Sequence, residues 1–189
     1  MISTDIDIDV ADREYVIELL KAIPARGTDG KKHLTGMYLN PIPYSQIDGI
    51  ANIPYKEAAT LGYFKIDVLN VSFYDKIRSN QDIYRLIEKE PMWVLLEHKD
   101  FVEQLLHVNQ HYDLVSRLKP RTVEQLAAVL AIIRPGKRHL EFSNWDTIMN
   151  EVWVDPKNGS YFYKKSHAIS YALLVVAQMN YICEEITSS

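Results

Sequence analysis

Three aspartates stand two residues apart, at Asp5, Asp7 and Asp9, interleaved with Ile6, Ile8 and Val10. A period of two predicts a strand that is apolar on one face and carboxylate on the other. Carboxylates about 7 Å apart on one strand face repel each other, and a divalent cation relieves that repulsion. Mg²⁺ takes few protein carboxylates and completes its octahedron with water and phosphate oxygens. A third carboxylate on a neighbouring strand would then allow two ions to sit side by side, the arrangement used for phosphoryl transfer. Asp67 is the candidate, because Phe64, Ile66 and Val68 alternate there with Lys65 and Asp67. An unpaired aspartate among apolar neighbours would be costly to bury. A calcium loop starting at Asp5 would need glycine at its sixth position and glutamate at its twelfth, and these are Val10 and Val16. A solvated strand edge blunted by acids remains open beside the metal reading.

The elements that must carry these residues follow from the same patterns. The period changes to a helical one from Ala11 to Ile23, with Val16, Leu20 and Ile23 on one stripe that stops before Pro24. A polar loop and a stretch punctuated by proline and glycine, Gly36 to Pro54, come next. Tyr55 to Leu61 predicts a short helix capped by Gly62, and Tyr63 to Val71 a second strand. Beyond residue 72 the chain reads as helix. Asp100 with Glu103, and Thr122 with Gln125, resemble capping boxes, and Arg134-Pro135-Gly136 ends the second of these helices. A helix from about Ser143 to Trp153, a turn at Asp155 to Gly159 and a long helix from about Ser166 follow. The expected class is α+β: a small sheet near the N-terminus and a mainly helical body. It is read as one domain over 1–189, with the aspartate-bearing strands in 1–75 and the helical region in 76–189.

The bulk composition is that of a globular protein. Of 189 residues, 47% are hydrophobic and 24% charged, with a formal net charge of −4. That sign argues against a free-standing DNA binder, which gains affinity by neutralising phosphates. Two local clusters oppose it: Arg134 with Lys137 and Arg138, and Lys164 with Lys165. Each is a phosphate site or simply a solvated basic patch. His107 and His111 have the spacing of a zinc pair, but the glutamate of that motif is missing and Asn109-Gln110 suggests a break between helices. The single cysteine, Cys183, fits a reducing compartment. The first residues lack the features of a signal peptide. The apolar run Ala168 to Ala177 falls short of the ~20 residues that span a bilayer. A cytoplasmic protein with no membrane partner is expected.

Four segments resemble one family in its own order. Asp5 to Glu14, DIDIDVADRE, resembles the aspartate-rich palm motif of the alpha subunit of bacterial DNA polymerase III, the C family of replicative polymerases. Thr4 stands in place of the family's proline and Val10 in place of its phenylalanine. Gly62 to Val71, GYFKIDVLNV, resembles the palm strand with the third aspartate. Arg117 to Gly136 is similar to the helix and Arg-Pro-Gly loop that follow the palm. Tyr163 to Met179, YKKSHAISYALLVVAQM, is similar to the Lys-Ser-His segment at the end of the fingers.

The resemblance implies a palm of the nucleotidyltransferase type that transfers a nucleotide from a deoxynucleoside triphosphate to a primer 3′-hydroxyl on template DNA. It implies two Mg²⁺ ions, replaceable by Mn²⁺, held by Asp5, Asp7 and Asp67 with Asp9 in support. Arg134 and Lys165, then Lys164 and His167, are the implied contacts to the incoming triphosphate. The sequence departs from the family in three ways. The Gly-Ser-rich segment before the aspartates has no counterpart here. Only 28 residues separate Gly136 from Lys165, where the family has long fingers. The interval between the aspartate strands is short. The expectation is therefore a fragment or split subunit, of bacterial or phage type, that works with another polypeptide. Two alternatives stand beside it: a non-enzymatic replisome module derived from a polymerase, and a small stand-alone nucleotidyltransferase.

Overall fold

A computed structural model describes residues 7–157 and 160–188. The chain divides into two compact units, Met1–Arg78 and Ser79–Ser189. It is mixed α+β, with every described strand in the first unit.

The first unit is a four-stranded sheet with two short helices. Strand β1 is Asp7–Val10, β2 Ile23–Arg26, β3 Lys32–Tyr38 and β4 Ile66–Asn70, and the order across the sheet is β1-β4-β3-β2. The β1–β4 pair is parallel, with Asp7 opposite Asp67 and Ile8 opposite Val68. The other two pairs are antiparallel. Helix α1, Arg13–Leu20, leaves β1 through Asp12, whose carboxylate accepts from the Tyr15 amide at 3.1 Å. Lys21 then takes a left-handed conformation (φ 51°) and closes the helix.

Two expectations about this segment are corrected. The helical stripe does not reach Ile23, which opens strand β2, and Leu20 is exposed. The region expected to be loop holds a β-hairpin, β2 and β3 joined through a turn with Gly30 at φ 81°. Pro24 is tolerated because β2 is the sheet edge, where a missing amide breaks no central ladder. Helix α2, Tyr55–Thr60, forms as expected, with Gly62 at φ 88° just after its end.

The pleat divides the unit into two cores. One face carries Met37 and Val68, packed with Ala22, Val10, Ile17 and Ile66. The other carries Ala25 and Tyr38, packed with Ile42, Ala51 and Ala58 of α2. Asp7 and Asp67, alternating with Ile8, Ile66 and Val68, belong to this second face.

The second unit is helical: α3 Asn80–Glu88, α4 Lys99–Val102, α5 Tyr112–Leu118, α6 Val123–Ile132, α7 Trp145–Glu151 and α8 Lys165–Ser188, with 3-10 turns at Trp93–Glu97 and Pro135–Leu140. Helix α6 is buried throughout from Leu126 to Ile132 and packs along α8. The apolar stripe of α8 (Ala168, Tyr171, Ala172, Val175, Val176) is core, as its spacing suggested. Buried Asn180 donates to the carbonyls of Leu86 and Lys89, both at 2.8 Å, and so ties α8 to the end of α3.

Thr122 caps α6 by accepting from the Gln125 amide at 3.1 Å, while Gln125 accepts from the Arg121 amide at 2.7 Å. The other expected capping box is not formed, because Asp100 lies inside α4 and His98 is at its cap. Among the described residues no helix is long and apolar enough to cross a membrane.

Candidate metal centre

The parallel β1–β4 pair brings Asp7 and Asp67 into register, so the two carboxylates project from the same sheet face on adjacent strands. Strands pair about 4.8 Å apart, which is within the span that one or two divalent cations bridge. Asp9 stands two residues further along the same face, opposite Leu69, and its charge helps to push the Tyr74 phenol up, after burial. Asp5, the remaining expected ligand, lies outside the described residues.

Asp67 has a built surround. Thr35 donates its hydroxyl to Oδ1 at 2.6 Å, and the Lys65 ammonium contacts Oδ2. Both side chains of the Lys65–Asp67 pair are largely withdrawn from solvent, at 17% and 16% exposure. The Lys65 ammonium also lies 5.7 Å from the centre of the Tyr55 ring. Oδ1 is 3.9 Å from His33 Nδ1. That approach is not an ion pair. Nδ1 accepts from the Gly36 amide at 2.9 Å, so its lone pair is already used and the proton of the neutral ring sits on Nε2. Burial, followed by the nearby Lys65 charge, holds the His33 imidazole below its usual range.

Two further residues shape the face. Arg13, 5% exposed, donates to the carbonyls of Thr35 and Gly36 at 3.3 and 3.2 Å and fixes β3 against the start of α1. Its own amide donates to the Asn70 side chain at 2.8 Å. Tyr38, 1% exposed, keeps a buried hydroxyl with no hydrogen-bond partner. Burial and then the charge of Asp67 push that phenol up, placing it within electrostatic reach of the carboxylate.

The donor set fits a divalent cation of the Mg²⁺ kind in number and chemistry, because Mg²⁺ uses one or two carboxylates and fills its remaining positions with water and phosphate. Among the described residues no three His, Cys, Asp or Glu side chains are grouped to hold a metal by themselves.

The residues expected to meet a triphosphate lie in the second unit and are not equivalent. Arg134 stacks its guanidinium 4.2 Å from the centre of the Tyr163 ring and donates to that residue's hydroxyl, while its Nε is buried without a partner. Lys165 opens α8 and pairs with Glu124 at 3.6 Å. Lys164 is exposed, and its carbonyl accepts from the Ala168 amide at 3.1 Å. His167 lies half-buried in the first turn of α8.

The basic cluster around Arg134 is broken by Lys137. This lysine is 3% exposed and donates to the carbonyls of Glu151, at 2.7 Å, and Val154. It closes the end of α7, and burial with its donors committed to carbonyls withdraws it from the exposed cluster. His107 and His111 do not form a zinc pair on one helix. His107 sits in a left-handed turn (φ 64°) with its ring 4.5 Å from Tyr171, and His111 precedes α5.

In the sequence Lys65 stands out only through the alternation, and no local pattern marks Thr35, His33 or Arg13. The local signal for Lys65 was its place two residues before Asp67 on a strand, which puts both on one face. No family model, no curated protein and no solved structure matches the chain.

Proposed function

We propose that the first unit carries a metal-dependent nucleotidyl-transfer site of palm type, and that the chain is a shortened C-family-like polymerase subunit acting with a partner polypeptide on primer, template and deoxynucleoside triphosphate. The register of Asp7 with Asp67 across parallel strands carries this reading. It brings together two carboxylates that are 60 positions apart in sequence. The likeness of both aspartate segments to palm motifs narrows the chemistry from phosphoryl transfer in general to primer extension.

In this reading Asp7 and Asp67 would hold the divalent cations, with Asp9 and Asp5 in support. Bound Mg²⁺ supplies activation of the primer 3′-hydroxyl and neutralises charge on the departing pyrophosphate. Thr35 orients the Asp67 carboxylate, and Arg13 holds the backbone of Thr35 and Gly36 that makes this orientation possible. Positioning and fixed charge then account for most of the rate, as in other phosphoryl transfers.

The direct test is Mn²⁺ binding to the purified chain by calorimetry, with Asp7→Asn and Asp67→Asn beside it. Binding that either substitution removes supports the site. Binding unchanged by both would abandon it.

One observation favours a second reading. Asp67 already has a lysine counter-ion and a hydroxyl donor, which suffice to hold a carboxylate in a non-catalytic replisome module. In that case Asp67→Asn leaves partner binding intact and the chain binds no Mn²⁺.

A further inference from the structure

The ammonium of Lys65 contacts Asp67 Oδ2, while Thr35 takes Oδ1. Three independent features hold it there. The first is the contact with Oδ2 itself, made from two residues earlier in the chain, just before β4. The second is Tyr55, whose ring lies 5.7 Å from the ammonium. The third is Gly36, the register partner of Asp67 on β3. A Cβ at Gly36 would come within 2.7 Å of the Lys65 Cδ and 3.1 Å of His33 Nδ1. The missing side chain at position 36 is therefore the channel in which the lysine stem lies.

A lysine stem laid over a glycine, with its ammonium against a carboxylate that faces a second carboxylate, is a specific piece of construction. Carboxylates in register on adjacent strands need a positive charge between or beside them. Lys65 provides one on the Asp67 side without any ion.

We infer that Lys65 is an internal counter-ion that competes with divalent metal for Asp67: the Asp67 carboxylate exchanges between a lysine-bound and a metal-bound state. The inference rests on the reading of Asp7 and Asp67 as a divalent-cation site. When the cation binds, the ammonium leaves Oδ2 and swings on its four-carbon stem, and the charge at the carboxylate passes from a monovalent to a divalent partner. The apparent metal affinity is then the intrinsic one multiplied by the fraction of molecules in which Lys65 is off the carboxylate. A lysine bound nine-tenths of the time would weaken metal binding about tenfold. The device leaves Asp67 with a positive partner while the metal is absent.

The experiment measures Mn²⁺ affinity by calorimetry, and melting temperature with EDTA and with Mn²⁺, on the full chain as wild type, Lys65→Met, Lys65→Arg and Asp67→Asn. Lys65→Met is expected to bind Mn²⁺ about tenfold more tightly than wild type, to melt lower in EDTA, and to recover more of its melting temperature on adding Mn²⁺. Lys65→Arg, which keeps the charge, stays close to wild type. Lys65→Gln replaces Lys65→Met in the comparison if the methionine variant does not fold. Equal or weaker Mn²⁺ binding by the neutral variant, with binding still abolished in Asp67→Asn, overturns the competition while leaving the metal site standing. Absence of Mn²⁺ binding in wild type and neutral variant alike overturns both the competition and the site.

Discussion

Thr35 donates its hydroxyl to Asp67 Oδ1 at 2.6 Å, across the β3–β4 pair and 32 residues away in sequence. It is a hydrogen bond to an ionised group in a place largely sheltered from water, where such bonds contribute about 1.5–3 kcal/mol. Thr35→Val keeps the shape and removes the donor. The expected outcome is a loss of about 1.5–2 kcal/mol in denaturant-induced unfolding. The same variant should show weaker Mn²⁺ binding, because the Asp67 carboxylate loses its fixed orientation.

Gly136 tests the second unit. Its amide donates to the Tyr161 carbonyl at 2.9 Å, and a Cβ there would fall 2.8 Å from that same oxygen and 3.2 Å from the Phe162 Cβ. The neighbour is backbone and cannot rotate aside. Gly136→Ala is expected to destabilise by about 1–3 kcal/mol, and to disturb Arg134 as well, since Tyr163 supports that guanidinium from the same segment. Denaturant midpoints compared with wild type would check the first effect. A change in tyrosine fluorescence in the native state would check the second.

β1 and the first three residues of β4 were legible because apolar and acidic residues alternate there, a pattern that Leu69 then breaks. Asp7 with Ile8, and Asp67 with Val68, each announce which sheet face carries the carboxylates. The hairpin was hidden for physical reasons. Strand β2 contains Pro24, which reads as a helix stop, and β3 contains Gly36, which reads as a turn. Pro24 is acceptable only because β2 forms the edge, and Gly36 only because the stem of Lys65, just before β4, fills its space. Both facts depend on pairing partners distant in the sequence.

The end of α1 was misplaced for a related reason. Its stop is a left-handed Lys21, not the glycine or asparagine that usually signals one. The carboxylate pair of the candidate site could be read locally, whereas its surround could not. Thr35 and His33 reach Asp67 only through the hairpin that the pattern concealed.

Lys137 shows the same limit in the helical unit. It stands among basic residues and reads as a solvated charge, yet it is buried because the carbonyls of Glu151 and Val154, 14 and 17 residues away, receive its ammonium. Burial disfavours its charged form and holds its pKa below the ordinary lysine range, with the charges of Glu151 and Asp155 opposing that shift. Lys137→Met removes the donor from both carbonyls and is expected to destabilise by about 2–3 kcal/mol. Arg138→Met, one residue on and exposed, should stay within about 0.5 kcal/mol of wild type. Equal effects from the two substitutions would show that Lys137 acts only through net charge.

The attachment of α8 to α3 gives a pH signature. Glu184 pairs with Arg85 at 2.6 Å and Lys89 at 3.1 Å. The hydrogen bond from Arg85, opposed by burial and helped by Lys89, lowers its carboxyl from an ordinary 4.5 to about 2. A carboxyl with a depressed folded-state pKa stabilises the fold above its unfolded value. That contribution is complete above about pH 4.5 and disappears as the pH falls towards 2. The full shift overstates the energy, because the partners are about half exposed and solvent screens the pair. About 1 kcal/mol or less is expected at neutral pH. Glu184→Gln should therefore lower stability slightly at pH 7 and match wild type near pH 2, so that the two stability curves converge on acidification. Raising the salt concentration should bring them together at pH 7 too, since exposed ion pairs are screened over about 10 Å at 0.1 M ionic strength. A difference between the two proteins that persisted unchanged at low pH would assign the role of Glu184 to packing of its stem against α3 and not to its charge.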